Sequence, residues 1–320
     1  MRAALVHAAD APPRYDVFPD PIAGADEFIV HVSAAALHPV VKALASGSHY
    51  GGVDNLPFIP GIDGVGRFQD GTRVYFGKIR SPFGSFAERA LTAPWMCVPL
   101  PDELDDATAA AIVNPGMSSW AALSLRAQLA PGENVLILGA TGTAGKLAVQ
   151  VANRLGAHRV VAAGRNQFAL GKLAALGADR TISLEQERAT IVAAFRQEFV
   201  EPGIDIVLDY LWGQPAEYLL EAISQKGMKL GTARTRFIQV GESAGGTISL
   251  PASTLRSSGL ELLGSGLGSA SLKRNMETVA EFLQDAAREP FQIDIQTVPL
   301  GDVESHWNKD AQGRRLVFVP

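Results

Sequence analysis

The segment whose spacing speaks most directly of chemistry is Val135-Leu136-Ile137-Leu138-Gly139-Ala140-Thr141-Gly142-Thr143-Ala144-Gly145. A buried-strand run meets a glycine turn. A helical pattern comes next, with Leu147, Ala148, Val151 and Leu155 on one face. Such a turn suits an anion. Gly142 has no Cβ, so a pyrophosphate can approach the backbone, and Gly145 lets the helix lie against the strand. Free N–H groups at the helix start, near Thr143 and Ala144, meet the phosphate charge. The first glycine of the Gly-x-Gly-x-x-Gly register is Ala140 here, with Gly139 just before it. Glycines also make plain tight turns. The strand before and the amphipathic helix after are what turn this pattern into an expectation of dinucleotide binding.

The choice of dinucleotide rests on the next strand. NAD sites carry an acid about 20 residues past the turn, which accepts from the ribose hydroxyl and repels a 2′-phosphate. Here the second strand ends Val161-Ala162-Ala163-Gly164-Arg165-Asn166, and no Asp or Glu lies between Gly156 and Leu170. Gly164 stands where the acid belongs. Arg165 follows it, and a guanidinium makes bidentate contacts to phosphate. The pattern predicts NADPH over NADH, with Arg165 on the 2′-phosphate; the competing reading is an ordinary loop arginine. Arg314 is a second candidate for that phosphate.

Two kinds of element must position these residues. The first third alternates short β-branched runs (Ala3 to His7, Glu27 to Val32, Thr72 to Phe76) with proline-rich turns, and reads as an irregular β-rich domain. The character changes near Asp105. Asp106 to Leu129 is Ala-rich and helical in pattern. From Val135 to Leu263 strands alternate with helices, including a helix over Phe168 to Leu176, which predicts a parallel sheet covered on both faces. The tail offers a helix (Leu272 to Asp285) and two strands (Ile293 to Val298, Arg315 to Val319).

Composition excludes several function classes. Hydrophobic residues are 47% and charged residues 19%, which is enough core material to argue against disorder. The net charge is −5 and no basic cluster exceeds a pair, so nucleic-acid binding is not expected. The pairs Lys273-Arg274 and Arg314-Arg315 read as solvated surface. Cys97 is the single cysteine, which excludes an intramolecular disulfide and a thiolate zinc cage. The N-terminal apolar run is too short for a signal peptide, and no apolar run reaches the roughly 20 residues of a membrane span. A cytoplasmic protein without membrane contact is expected.

Further pieces fall in a familiar order: Pro60-Gly61-Ile62-Asp63-Gly64-Val65-Gly66, Gly84-Ser85-Phe86-Ala87-Glu88, Asn114-Pro115-Gly116-Met117-Ser118-Ser119-Trp120, the glycine turn, Gly241-Glu242-Ser243-Ala244-Gly245, Leu262-Leu263-Gly264-Ser265-Gly266 and Gly313-Arg314-Arg315. With them the chain resembles the medium-chain dehydrogenase/reductase superfamily, in its zinc-independent quinone oxidoreductase-like branch, over nearly its whole length. The resemblance implies an α/β fold: a Rossmann doubly wound parallel sheet of six strands inserted in a β-rich GroES-like substrate domain. The substrate domain would span 1–113 and be completed by 264–320, with the Rossmann domain at 114–263. It also implies a homodimer and an active site between the domains.

Zinc members carry Gly-His-Glu where this chain has Gly61-Ile62-Asp63, and isoleucine cannot bind a metal. The histidines show no ligand spacing, so no metal is expected. Without a Lewis acid, hydride transfer from NADPH to a small-molecule quinone or α,β-unsaturated carbonyl (an enone) becomes the expected chemistry. Two alternatives stay open: an NADPH-binding redox sensor or structural protein with little turnover, and an enoyl-thioester reductase.

The family shows Asn-Pro, a following Asp, then Ser-Gly and a tyrosine, where this chain has His38-Pro39, Val41-Lys42, Ser46-Gly47 and Tyr50. Tyr50, His38, Lys42 and Asn114 are therefore the catalytic candidates. Each has a plainer reading: packing for Tyr50, a satisfied histidine before proline, a solvated lysine, and a helix N-cap for Asn114. Asp63 is expected to satisfy turn amides among Gly61, Gly64 and Gly66. Asp209-Tyr210, Val240-Gly241-Glu242 and Gly264-Ser265-Gly266, at later strand ends, are expected to hold the rest of the cofactor alongside Gly139, Thr141 to Gly145, Gly164 to Asn166 and Arg314.

Overall fold

Short apolar runs between glycines and prolines become strands, and Ala-rich or amphipathic stretches become helices, as a computed structural model of the chain shows for residues 1–48, 55–77, 80–200, 203–224, 234–266 and 268–320. In chain order come β1 (Arg2–Leu5), β2 (Arg14–Val17), β3 (Phe28–Ala36), α1 (Pro39–Ala45), β4 (Asp63–Arg67), β5 (Arg73–Gly77), β6 (Arg89–Thr92), β7 (Cys97–Pro99) and α2 (Asp106–Ala121). The alternating part is next: β8 (Asn134–Leu138), α3 (Thr143–Arg154), β9 (Arg159–Gly164), α4 (Gln167–Leu170), β10 (Arg180–Ser183), α5 (Arg188–Glu198), β11 (Ile206–Asp209), α6 (Gly213–Ile223), β12 (Thr235–Gln239), α7 (Ala252–Ser257) and β13 (Leu260–Gly264). The chain closes with α8 (Leu272–Arg288), β14 (Ile295–Pro299), α9 (Val303–His306) and β15 (Arg315–Val319).

The chain divides into two compact units, Met1–Asn114 with Met276–Pro320, and Pro115–Asn275. The second unit runs past the expected return point at 264, through the start of α8.

In the first unit the strands run in the order β14-β15-β3-β4-β5-β7, with β6 paired to β3, while β1 and β2 form a separate hairpin sheet. Antiparallel pairing of β3 with β4, β6 and β15 makes β3 the hub. The core centres on Phe76, Phe86 and Phe318, all fully buried. The Phe86 and Phe318 rings lie 5.2 Å apart, and Trp307 meets Phe86 edge-on.

In the second unit, the described residues form a six-stranded parallel sheet in the order β10-β9-β8-β11-β12-β13. That order is the doubly wound one, which reverses between β8 and β11 and leaves a crevice at the strands' carboxyl ends. Central strands are apolar throughout: Val135 to Leu138 and Ile206 to Leu208 are wholly buried, because helices cover both faces.

Two expected helices differ. The stretch from Phe168 to Leu176 breaks at Gly171 into α4 and a 3₁₀ turn, Leu173–Leu176. The Ala-rich helix stops at Ala121 and continues as a π-helix, Ala122–Ala127, that ends where Gln128 turns left-handed. Asn114 does not cap a helix. It lies inside α2, whose start is held by Asp105 Oδ1 accepting from the Thr108 amide at 2.8 Å. Among the described residues no helix is long and apolar enough to cross a membrane.

Candidate functional site

The glycine turn of the second unit joins β8 to α3. Gly139 takes φ 88° and, with Ala140, donates its amide to the Ala163 carbonyl of β9, at 2.9 and 3.0 Å. This pins the turn to the neighbouring strand. Gly142 is the N-cap of α3 and no side chain caps it, so the first amides of the helix have no intrahelical acceptor. The glycines differ in what surrounds them. A Cβ on Gly145 would lie 2.2 Å from the Gly139 carbonyl oxygen, so helix and turn touch there. A Cβ on Gly142 would meet only that same oxygen, at 3.7 Å, so the space above this residue is open. Thr141 and Gly164 face each other. A Cβ at 164 would lie 2.6 Å from Thr141 Cγ2, so a larger residue at the end of β9 would require the Thr141 side chain to shift.

Arg165 is exposed just beyond, with no hydrogen-bond or ion-pair partner among the described residues. Asn166 does something else: its Oδ1 accepts from the Ala169 amide at 2.9 Å and caps α4. Arg314 lies in the first unit, and its Nε donates to the Ala311 carbonyl at 3.2 Å.

The remaining strand ends line the same sheet edge, since Leu138 pairs with Asp209, Asp209 with Gln239 and Gln239 with Gly264. Asp209 turns its carboxylate back to the chain, accepting from Leu211 N at 2.7 Å and Trp212 N at 3.0 Å. Burial raises its pKa to about 6, against the pull of those two amides. The folded value exceeds the 3.8 of an unperturbed Asp, so this residue favours folding below pH 3.8 and loses that contribution as pH rises through 6. Denaturant unfolding of Asp209→Asn is expected to show a smaller fall in stability between about pH 4 and 6.5 than the wild type.

Tyr210 turns its hydroxyl to Ser118, at 3.0 Å, and burial pushes it up to about 12. The Tyr210 carbonyl accepts from both the amide and the hydroxyl of Ser243. Val240 and Gly241 donate their amides to the Asp209 carbonyl, and Glu242 is exposed. At the edge strand, Cβ atoms on Gly264 and Gly266 would meet nothing within 4 Å, and Ser265 N donates to Gln239 O. Arg126, from the π-helix, holds the Gly264 carbonyl at 2.8 Å. Sequence reasoning missed it; the π-helix that carries it has no clear sequence signal.

The first unit gathers a different set. His38 precedes α1 and is 1% exposed; Asp63 begins β4 and is 5% exposed. His38 Nε2 lies 3.5 Å from Asp63 Oδ1, and Tyr75 donates its hydroxyl to Asp63 Oδ2 at 2.7 Å. Arg315 is also buried, contrary to the expectation of solvated surface, and its Nη1 donates to the Leu37 carbonyl at 2.7 Å. Both His38 ring nitrogens, Asp63 Oδ1 and Arg315 Nε lack a hydrogen-bond partner among the described residues. Burial pushes His38 well below the usual histidine range, helped by the Arg315 charge, and raises Asp63 to about 7. Asp63 therefore bonds Tyr75 rather than turn amides. Tyr75 and Arg315 were not foreseen, because strand pairing alone brings them to Asp63.

Lys42 is half-buried on α1, which lowers its pKa, and it lines a cavity of about 380 Å³ with Asp10, Ser46, Ser48, Trp307 and Asn308. Asn114 is half-buried in α2, and Tyr50 lies outside the described residues.

A family model described as "Zinc-binding dehydrogenase" matches residues 144–285. The probable NADPH-dependent quinone reductase tdiC of Emericella nidulans is 31% identical, over the whole of both chains. The quinone oxidoreductase of Homo sapiens is 29% identical over 60% of this chain and 59% of its own length. The quinone oxidoreductase of Thermus thermophilus, solved also in complex with NADPH, superposes over the whole of both chains with a TM-score of 0.81 and 25% identity.

Among the described residues, the positions compared above offer no set of zinc ligands. Ile62 is apolar, Asp63 is tied to Tyr75, and the Cys97 thiol faces Thr92 and Ala93. Among the described residues no three of His, Cys, Asp or Glu group as metal ligands.

Proposed function

Because this chain belongs to the medium-chain dehydrogenase/reductase superfamily, in its quinone oxidoreductase-like branch, we propose that it is an NADPH-dependent reductase of quinones or α,β-unsaturated carbonyls that works without a metal. The observation that carries this reading is the uncapped start of α3 beneath the open face of Gly142, with Gly164 packed against Thr141 at the end of β9 and the exposed Arg165 next to it.

The residues fit the nucleotide in a definite way. The amides at Thr143, Ala144 and Gly145 would meet the pyrophosphate, where the helix dipole favours negative charge. The exposed Arg165 guanidinium would take the 2′-phosphate by two parallel hydrogen bonds. Open space at Gly264 and Gly266 admits a ligand against the backbone, while Arg126 fixes the carbonyl beside it. Asp209, Tyr210 and Asn166 shape the edge through their own hydrogen bonds, so their part in holding the nucleotide would come from the backbone. Arg314, in the other unit, remains a second candidate for the 2′-phosphate.

Bound there, NADPH supplies the hydride. The protein must then hold the acceptor and stabilise the oxygen that gains charge. Tyr50, Lys42 and Asn114 are candidates for that task. His38 is the candidate with unused hydrogen-bonding capacity, since neither ring nitrogen has a partner among the described residues. A homodimer, carried over from the family resemblance, and a cytoplasmic location, expected from the single cysteine and the short N-terminal apolar run, complete the reading.

The test is titration with NADPH and NADH by nicotinamide fluorescence, followed by turnover of a naphthoquinone or phenanthrenequinone. NADPH binding with quinone-dependent oxidation is the expected result. Binding without turnover would favour a sensor or structural protein, and binding of neither nucleotide would end the proposal.

A further inference from the structure

We propose that the cavity between α1, the loop after β1 and the chain just past α9 binds a small hydroxy carboxylate, with the Lys42 ammonium and the Trp307 indole N–H on the carboxylate. The site does not rest on the reductase reading, since none of its residues is assigned to the nucleotide.

The cavity holds about 380 Å³, which falls in the range of small-molecule sites. Every described residue that lines it belongs to the first unit. Small apolar side chains, such as Ala43 and Ala45, alternate there with a few polar groups, as ligand pockets require.

Two of those polar groups are donors that the chain leaves unused. Lys42 is half-buried, and its ammonium has no ion pair or hydrogen bond among the described residues. Burial without a counter-charge lowers its pKa, so an anion beside it would offset the lost hydration. Trp307 is the sharper case. It is 5% exposed, and Phe86 sets its ring edge-on at 6.1 Å. A buried indole N–H ordinarily finds an acceptor. That of Trp307 has none among the described residues, yet it is not one of the fully enclosed polar atoms without a partner. The little surface that Trp307 keeps therefore includes its N–H, and Trp307 lines the cavity.

The other groups accept. The Ser46 and Ser48 hydroxyl oxygens lie 2.9 Å apart, and 3.2 and 3.3 Å from the Ala43 carbonyl oxygen. Both hydroxyl hydrogens are taken within that triangle, so the pair offers lone pairs to a ligand. Asp10 adds an exposed carboxylate, which no ion pair joins to Lys42. With Lys42 and Asp10 together, the lining is neutral. A dianion such as phosphate would meet Asp10 with more charge than one lysine offsets. A monoanion with a hydroxyl uses both sets: its carboxylate accepts from Lys42 and Trp307, and its hydroxyl donates to Asp10 or the serine pair. The Asn308 amide can serve either end.

The chain has four tryptophans, so a ¹H–¹⁵N spectrum of the full chain with ¹⁵N-labelled tryptophan shows four indole signals, and Trp307→Phe identifies one of them. The probes are lactate and 3-hydroxybutyrate at millimolar concentrations, with lactamide as the neutral counterpart and inorganic phosphate as the dianion. The expected result is a saturable shift of the Trp307 signal with at least one hydroxy acid, with the other three signals unmoved. Lactamide and phosphate should leave it in place at the same concentrations. Lys42→Met keeps the apolar stem and removes the charge, and should raise the half-saturating concentration at least about tenfold. Lys42→Arg keeps the charge and should stay within about threefold of the wild type. No saturable shift with either hydroxy acid, an equal response to lactamide or phosphate, or unchanged binding in Lys42→Met overturns the proposal. If Trp307→Phe does not fold, the loss in Lys42→Met of the one responding signal decides alone.

Discussion

Gly145→Ala lowers the thermal midpoint of the apo protein by about 5–10 °C, whereas Gly142→Ala leaves it nearly unchanged and weakens NADPH binding about tenfold. The two glycines sit three residues apart and answer to different neighbours. At 145 the added carbon meets backbone, the Gly139 carbonyl oxygen at 2.2 Å and Ala140 Cα at 2.5 Å. Backbone cannot rotate aside, so turn and helix must separate, at the roughly 1–3 kcal/mol typical of overpacking. At 142 the backbone is ordinary, φ −76°, and the added carbon meets only an oxygen at 3.7 Å. The methyl group fits the folded chain and stands where the pyrophosphate would approach. Thermal unfolding without nucleotide and fluorescence titration with it measure the two effects separately. Wild-type affinity in Gly142→Ala would mean that no phosphate lies over this turn.

Arg165→Ala should raise the NADPH Kd at least tenfold, about 1.4 kcal/mol, and leave NADH binding unchanged. The 2′-phosphate is the only difference between the two ligands. Arg165 is exposed and engages no other group among the described residues, so its loss disturbs no internal contact. The contrast should shrink as salt rises, because exposed charges are screened. Paired titrations of wild type and variant at low and high salt check both statements. An equal loss for NADH and NADPH would assign Arg165 to the shared part of the ligand, and no loss would make it a plain loop arginine.

How much of this was legible depends on whether a residue's neighbours are near in sequence. Val135 to Leu138 is apolar throughout because both faces of the sheet are covered, and the glycine turn follows at once, so strand, turn and helix could be read together. Arg165 could be found because it follows Gly164 directly. His38, Asp63, Tyr75 and Arg315 come from four separate segments. Asp63 pairs with Gly77, which puts Tyr75 diagonally across the ladder, and Arg315 arrives only because β15 joins β3. No local pattern encodes that meeting. Local rules misled at Asn114 and Arg315: an Asn before Pro looks like a cap, and a double arginine looks like surface. The helix over Phe168 to Leu176 failed at Gly171, where intrinsic propensity is low.

The discontinuous first unit also imposes an order on biosynthesis. The second unit is one unbroken stretch, Pro115–Asn275, and can close its sheet while the ribosome is still translating the last part of the chain. The first unit begins earlier and finishes last, since β3 waits for β15. Until then the nascent chain leaves the Ala35–Ala36 end of β3 without its β15 partner and exposes the apolar faces that Phe318 and Trp307 later cover. A message cut short before Arg315 would thus yield a chain with an intact parallel sheet and an open partner, which chaperones and proteases would meet first.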